Sequence, residues 1–305
     1  MRKIAKISVI LLIGCLILSP VIVSGNYQVS IGETYTYDVN NAEYEVSKGA
    51  YTAYGNGFQI NDHQFPNNTT VEAKVVNVDP ATEVAFQISS GGQGEVWFSN
   101  ALDALGVALL VFLPILEYDV IGTMVFNDIN STVSKGTGIL MPVFWDTASF
   151  DFFDDLTSES YISDITTEPE FQDLDIYAEY EEVGSEMIFD WYLIGSMDVT
   201  ATYTQDYEVE HQVKMVYDLA TGVLQGIRVI STATGTHSGQ SLDYYMDYFA
   251  ELQGYDLADF LYGPSTPTPT IPSTPPTSTI GFGWIAILLA GSILLIPIIL
   301  RKMRK

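Results

Sequence analysis

Apolar and polar residues alternate with a period of two along much of this chain, the spacing of a strand with one face in a core and the other in water. The longest such run covers residues 199–218. Its odd positions include Val199, Tyr203, Tyr207, Val209, His211, Val213, Met215 and Tyr217, and its even positions Thr200, Asp206, Glu208, Glu210, Gln212 and Lys214. A run of this length exceeds an ordinary strand, so a bend near Gln205 and Asp206 is expected to divide it. Asp218, Leu219, Ala220, Thr221 and Gly222 then predict a hairpin, with glycine where the turn needs a positive φ, and a return strand over residues 223–232. Similar alternation predicts strands over residues 34–39, 71–78, 83–88, 95–98, 176–181 and 187–194. Strands at this spacing, joined by short turns, indicate an antiparallel meander.

Three segments break the pattern. Residues 101–116 are apolar nearly all round, apart from Asp103 and Pro114, and are too short to span a bilayer. They predict a helix buried against the sheet. Residues 150–161 place Phe152, Phe153, Leu156 and Ser160 on one face, with Asp151, Asp154, Asp155 and Glu159 elsewhere, which suits a short amphipathic helix. Residues 242–252 fit both periods. The tyrosines favour the strand, with Leu242, Tyr244, Met246, Tyr248, Ala250 and Leu252 on one face. The expected fold is therefore mainly β: an antiparallel meander forming a curved sheet, half-barrel or sandwich, with one or two short helices packed on it.

The two ends add a membrane. Residues 1–25 read as a signal peptide, with Arg2, Lys3 and Lys6 before an apolar centre and small residues ahead of Asn26. Leu12, Ile13, Gly14 and Cys15 also match a lipoprotein cleavage box. Residues 264–279 hold 6 Pro, 6 Thr, 3 Ser and Ile271, a composition that cannot sustain a helix or a sheet interior. They are expected to form an extended stalk of about 50 Å at about 3.1 Å per residue. Residues 280–300 then read as a transmembrane helix, and residues 301–305 as a basic cytoplasmic tail. The β-rich extracellular domain is thus expected over residues 26–263.

Charge follows this division. Of the 12 basic residues, 7 lie at the two ends, so residues 26–279 carry five basic against 38 acidic residues, a formal charge of −33. Such a surface repels nucleic acid and attracts cations. Cys15 is the only cysteine, and its loss with the leader would remove disulfides, thiolate nucleophiles and cysteine-ligated zinc.

Candidate chemistry is sparse. His211 lies on the apolar side of its strand and reads as a core histidine. His237 sits in a turn-like Gly-Thr-His-Ser-Gly stretch, and His63 in an Asn-rich loop. No pair has zincin spacing. Asp151, Asp154, Asp155 and Glu159 form one acidic cluster, and Asp173, Asp175, Glu179, Glu181 and Glu182 another. These read as solvated surface, with weak calcium binding as the alternative. No cofactor is implied. Asn67, Asn68 and Asn130 head glycosylation sequons.

Two resemblances follow from these residues. Ile280, Gly281, Phe282 and Gly283, behind a Pro/Thr stalk and before an apolar run and a basic tail, resemble the C-terminal sorting signals of archaeal surface proteins. Those signals carry Pro-Gly-Phe and are cut by an archaeosortase that attaches a lipid; here Ile280 stands where they have proline. The resemblance implies Gly281 and Phe282 as sorting or lipid-anchor positions. Residues 32–39, 70–79 and 217–224 resemble archaeal surface proteins of the choice-of-anchor S type, which implies anchoring and no activity.

The expected function is a membrane-anchored cell-surface protein of binding or structural, envelope-associated type, not an enzyme, held by its C-terminal helix. Its partners would be a surface-layer protein, a glycan or a lipid ligand, and no nucleic acid. The alternative is a lipid or other apolar-ligand carrier or sensor, by analogy with half-barrel periplasmic lipid carriers. An extracytoplasmic hydrolase ranks behind both.

Overall fold

The computed structural model describes residues 26–61, 63–111, 141–167, 171–200, 204–237 and 239–263. Among these residues it is mainly β, with a large antiparallel sheet and three short helices. In chain order the strands are β1 (Thr34–Lys48), β2 (Tyr51–Asn56), β3 (Phe58–Ile60), β4 (His63–Phe65), β5 (Thr69–Asp79), β6 (Glu83–Ser90) and β7 (Gln93–Asn100), then β8 (Phe171–Val183), β9 (Glu186–Thr200), β10 (Thr204–Asp218), β11 (Leu224–His237) and β12 (Gln240–Leu252). Helix α1 (Asp103–Val111) follows β7, and α2 (Asp151–Thr157) and α3 (Glu159–Thr166) precede β8.

Two meanders make the sheet. Its order is β7-β6-β5-β1-β12-β11-β10-β9-β8, with β2 pairing the far half of β1, while β3 and β4 form a separate hairpin. The meanders join where the first strand pairs with the last: Tyr37 faces Leu252 and Lys48 faces Leu242. Among the described residues the edge strands are therefore β7 and β8. Along β8 the acidic residues Asp173, Asp175, Glu179, Glu181 and Glu182 occupy an open edge, where charge discourages pairing with another chain.

One face of the sheet, the helix face, carries the core. Tyr37, Val71, Phe86, Phe189, Val213, Met215, Ile227 and Tyr248 project from it and pack with residues 141–156 and α1. Phe153 of α2 is fully buried among Trp145, Phe189 and Tyr217, with ring centroids 4.7–5.9 Å apart. Burying a side chain of that size contributes about 1.5–3 kcal/mol, which holds the short helix to the sheet.

Most expected strands are present, with boundaries that differ for identifiable reasons. The expected strand over residues 34–39 continues to Lys48 because a bulge lies between Val39 and Asn41. The bulge inverts parity, so Tyr37 and Val39 are buried before it and Ala42, Val46 and Lys48 after it. The bend expected near Gln205 falls earlier. Thr200 pairs with Thr204, so the chain reverses between them and Val199 belongs to β9. The single helix expected over residues 150–161 is two. Ser158 is extended, with ψ 140°, and its side chain accepts from Tyr161 N to cap α3. Phe150, Phe153 and Leu156 are buried, while Ser160 is exposed. The apolar 101–116 segment forms α1 with Ala104, Val107, Leu110 and Val111 buried; its remainder, residues 112–116, lies outside the described residues. Residues 242–252 are strand, as the tyrosines suggested.

The Asp218 hairpin forms as expected, with Gly222 at φ +70°. A Cβ there would sit 2.0 Å from Trp145 O, because Trp145 N donates to Gly222 O at 2.7 Å and the two backbones touch. Glycine is required here both by conformation and by contact.

Candidate functional site

The opposite face of the sheet is half covered by the end of the described chain. After β12 the chain turns at Gly254, φ +88°, and residues 255–263 cross β11, β10 and β9 as a strap. The strap is fastened by side chains of the sheet. Lys214 Nζ donates to Asp190 Oδ2 at 2.6 Å and to Asp259 O at 2.9 Å. Leu261 N donates to Asp190 Oδ1 at 3.2 Å, and Gln212 Nε2 to Tyr262 O at 2.7 Å. Tyr262 Oη donates to Glu179 Oε2 at 2.9 Å, and Leu257 rests on Gly226. Arg228 stacks between Phe249 and Phe260, its guanidinium carbon 5.4 and 5.5 Å from the two ring centroids.

The Lys214–Asp190 pair is the buckle. Each side chain bonds its partner and one backbone group of the strap. The pair is almost wholly removed from water, at 8 % and 4 % side-chain exposure. Buried ions are tolerated only when their remaining hydrogen-bonding capacity is met, and the strap backbone meets it. Alternation assigned Gln212 and Lys214 to the solvent side. They do lie on that side of β10, but the strap excludes the solvent. Local periodicity carries no signal for a cover supplied by residues about 45 positions later.

On the helix face, His211 is fully buried. Its Nε2 lies 3.0 Å from Leu110 O at the end of α1. A carbonyl only accepts, so the ring proton is on Nε2. Burial drives the imidazole pKa down to about 3, against the raising effect of the Leu110 bond, and the ring is neutral. Its cross-strand neighbour Ser231 is equally buried. Asp103, in the first turn of α1, is the second perturbed group. Burial raises its carboxyl to about 7, opposed by hydrogen bonds from Ser99 and from Asn100 N. Asp103 also acts electrostatically on Tyr27 and Tyr217, raising both phenols further beyond what burial does. The sequence marked Asp103 only as a break in an apolar run.

The sequons separate. Asn67 Nδ2 donates to Asn41 Oδ1 at 2.8 Å and to Glu43 Oε1 at 3.1 Å, so the amide nitrogen that a glycan would occupy is engaged. Asn68 is exposed in the turn before β5, at φ +60°. Asn130, Cys15, Gly281 and Phe282 lie outside the described residues. Glu43 and its cross-strand neighbour Asp247 both have raised pKa values, burial being the largest cause for each, with the Asp247 charge adding to the shift at Glu43.

The remaining candidates are dispersed. Asp151, Asp154, Asp155 and Glu159 point outward from α2 and α3. His63 is exposed on β4, its Nδ1 2.9 Å from Asn61 O, and His237 ends β11 opposite Gln240. Among the described residues no three His, Cys, Asp or Glu side chains converge as a metal site requires, and no helix is long and apolar enough to cross a membrane. No protein family, curated protein or solved structure matches this chain.

Proposed function

We propose that this chain is a membrane-tethered cell-surface protein of binding or envelope-structural type, in which a β domain stands on a Pro/Thr stalk. The carrying observation is the strap. The chain leaves the sheet from β12, a central strand, and is fastened across β9–β11 until Gly263, one residue before the Pro/Thr run at 264–279. A pull along the stalk meets the strap contacts first. It then meets two ladders, because β12 is paired on both sides with β1 and β11. That attachment suits a domain held by its C-terminus.

The leader at 1–25, the transmembrane helix at 280–300, the archaeosortase-like positions Gly281 and Phe282, and the choice-of-anchor resemblance belong to this proposal. So does a glycan on Asn68 in preference to Asn67, since Asn68 is exposed and the Asn67 amide is hydrogen-bonded. Partners would be a surface-layer protein, a glycan or a lipid, and the role is non-catalytic. Protease added to intact cells tests the orientation. Cleavage within 26–263 with an epitope after Lys305 protected supports it, and the reverse pattern refutes it.

An apolar-ligand carrier is the second reading, supported by the path of α1. The helix starts three residues after edge strand β7, yet its Leu110 carbonyl meets His211 on β10, six strands across. Six spacings of about 4.8 Å make about 29 Å on a flat sheet. Three extended residues and seven helical ones reach about 21 Å. A sheet curled toward the helix, in half-barrel fashion, closes that gap.

A further inference from the structure

We propose that the helix face holds one hydroxyl-bearing guest between His211 and Ser231, the hydroxyl belonging either to a water molecule or to the polar end of an apolar ligand. The two residues are direct cross-strand neighbours on β10 and β11, and both have 0 % exposure. With the proton of His211 committed to Leu110 O, Nδ1 presents a lone pair. Among the described residues neither Nδ1 nor Ser231 Oγ has a hydrogen-bond partner.

An orphaned buried polar atom is destabilising, and two orphans on neighbouring strands favour a group that satisfies both. Cross-strand Cβ atoms lie about 4.5–5.5 Å apart, so both atoms fall within the reach of a single bridging oxygen. A hydroxyl donates to Nδ1 and accepts from Ser231 Oγ–H, so one group satisfies both. An anion is refused, because it cannot donate to Nδ1 and the ring stays neutral. A metal ion is disfavoured by the neighbours: Leu193 stands opposite His211 on β9, and Met246 opposite Ser231 on β12. Both are buried or line the core rather than supplying carboxylates.

The site does not depend on how the chain is anchored; its ligand form rests on the carrier reading, and its water form does not. The test uses the full chain in detergent. Histidine side-chain ¹⁵N spectra are expected to show His211 as the Nε2–H tautomer with Nδ1 accepting a hydrogen bond. Ser231→Ala is expected to weaken that signature and lower the melting midpoint, and His211→Phe to lower it as well. Native mass spectrometry separates the sources. An added mass lost in both variants identifies a ligand hydroxyl. An unadorned mass with the same spectra identifies water and leaves the carrier reading without this support. A free Nδ1 resonance, or a Ser231→Ala protein that melts higher than the parent because an orphan has been deleted, overturns the site.

Discussion

At the scale of single residues, buried His211 and half-buried Asp103 shape the response to pH in opposite senses. Asp103 titrates near 7 in the fold and near about 3.9 in the unfolded chain. Between those values the unfolded state has already lost its proton and the folded state has not, so stability falls as pH rises from about 4 to about 7. His211 does the reverse. It stays neutral in the fold down to about 3, whereas the unfolded ring protonates below about 6.5, so stability falls as pH drops through that window. Asp103→Asn is expected to melt at a midpoint that declines less than that of the parent between about pH 5 and pH 8; superimposable profiles would refute the assignment. The burial of His211 was legible from its parity within β10. The partial desolvation of Asp103 was not, because an aspartate at a helix start is ordinarily solvated and no local pattern marks its loss of water.

At the scale of elements, the strap decides the energetics of one whole face. Lys214→Met leaves Asp190 charged, buried and without its cation, which is expected to cost about 3–5 kcal/mol. Replacing both partners with apolar residues, as in Lys214→Met with Asp190→Leu, is expected to recover most of that loss; denaturant melts of the two variants check it. The single variant should also be cut faster by protease within residues 255–263, since the same two side chains hold Asp259 O and Leu261 N. Gly226→Ala provides a milder probe, because its Cβ would press within 3.1–3.3 Å of Leu257 and lift the strap without touching the ion pair. Strand positions were largely readable beforehand, but the length of β1 was not. Its bulge moves the buried set from Val39 to Ala42, and a strict period of two ends where parity changes.

At the scale of the molecule, the pairing of the first strand with the last joins the two meanders into one sheet. Tyr37 and Leu252 are register partners although more than 200 residues separate them. A chain ending at residue 239 would lose β12 and leave β1 and β11 facing an empty position. It is expected to show no cooperative thermal transition in circular dichroism, and a truncated chain that melts sharply would show the two meanders to be independent. Such distant pairing also predicts slow folding, in the millisecond-to-second range or beyond, because loop closure precedes the contacts that reward it.

What the sequence determined by itself was local: the period-two faces of β5 to β12, the hairpin at Gly222, the apolar helix behind β7 and the acidic, nearly cysteine-free composition. Each follows from neighbours a few positions apart, where sterics and side-chain alternation act directly. The tertiary structure alone decided which strands became edges, that β1 and β12 meet, that residues 255–263 turn a solvent-side Lys214 into a buried one, and that His211 is paired across strands with Ser231. Those outcomes depend on what covers each face, and the covering groups come from far along the chain, beyond the reach of any local pattern.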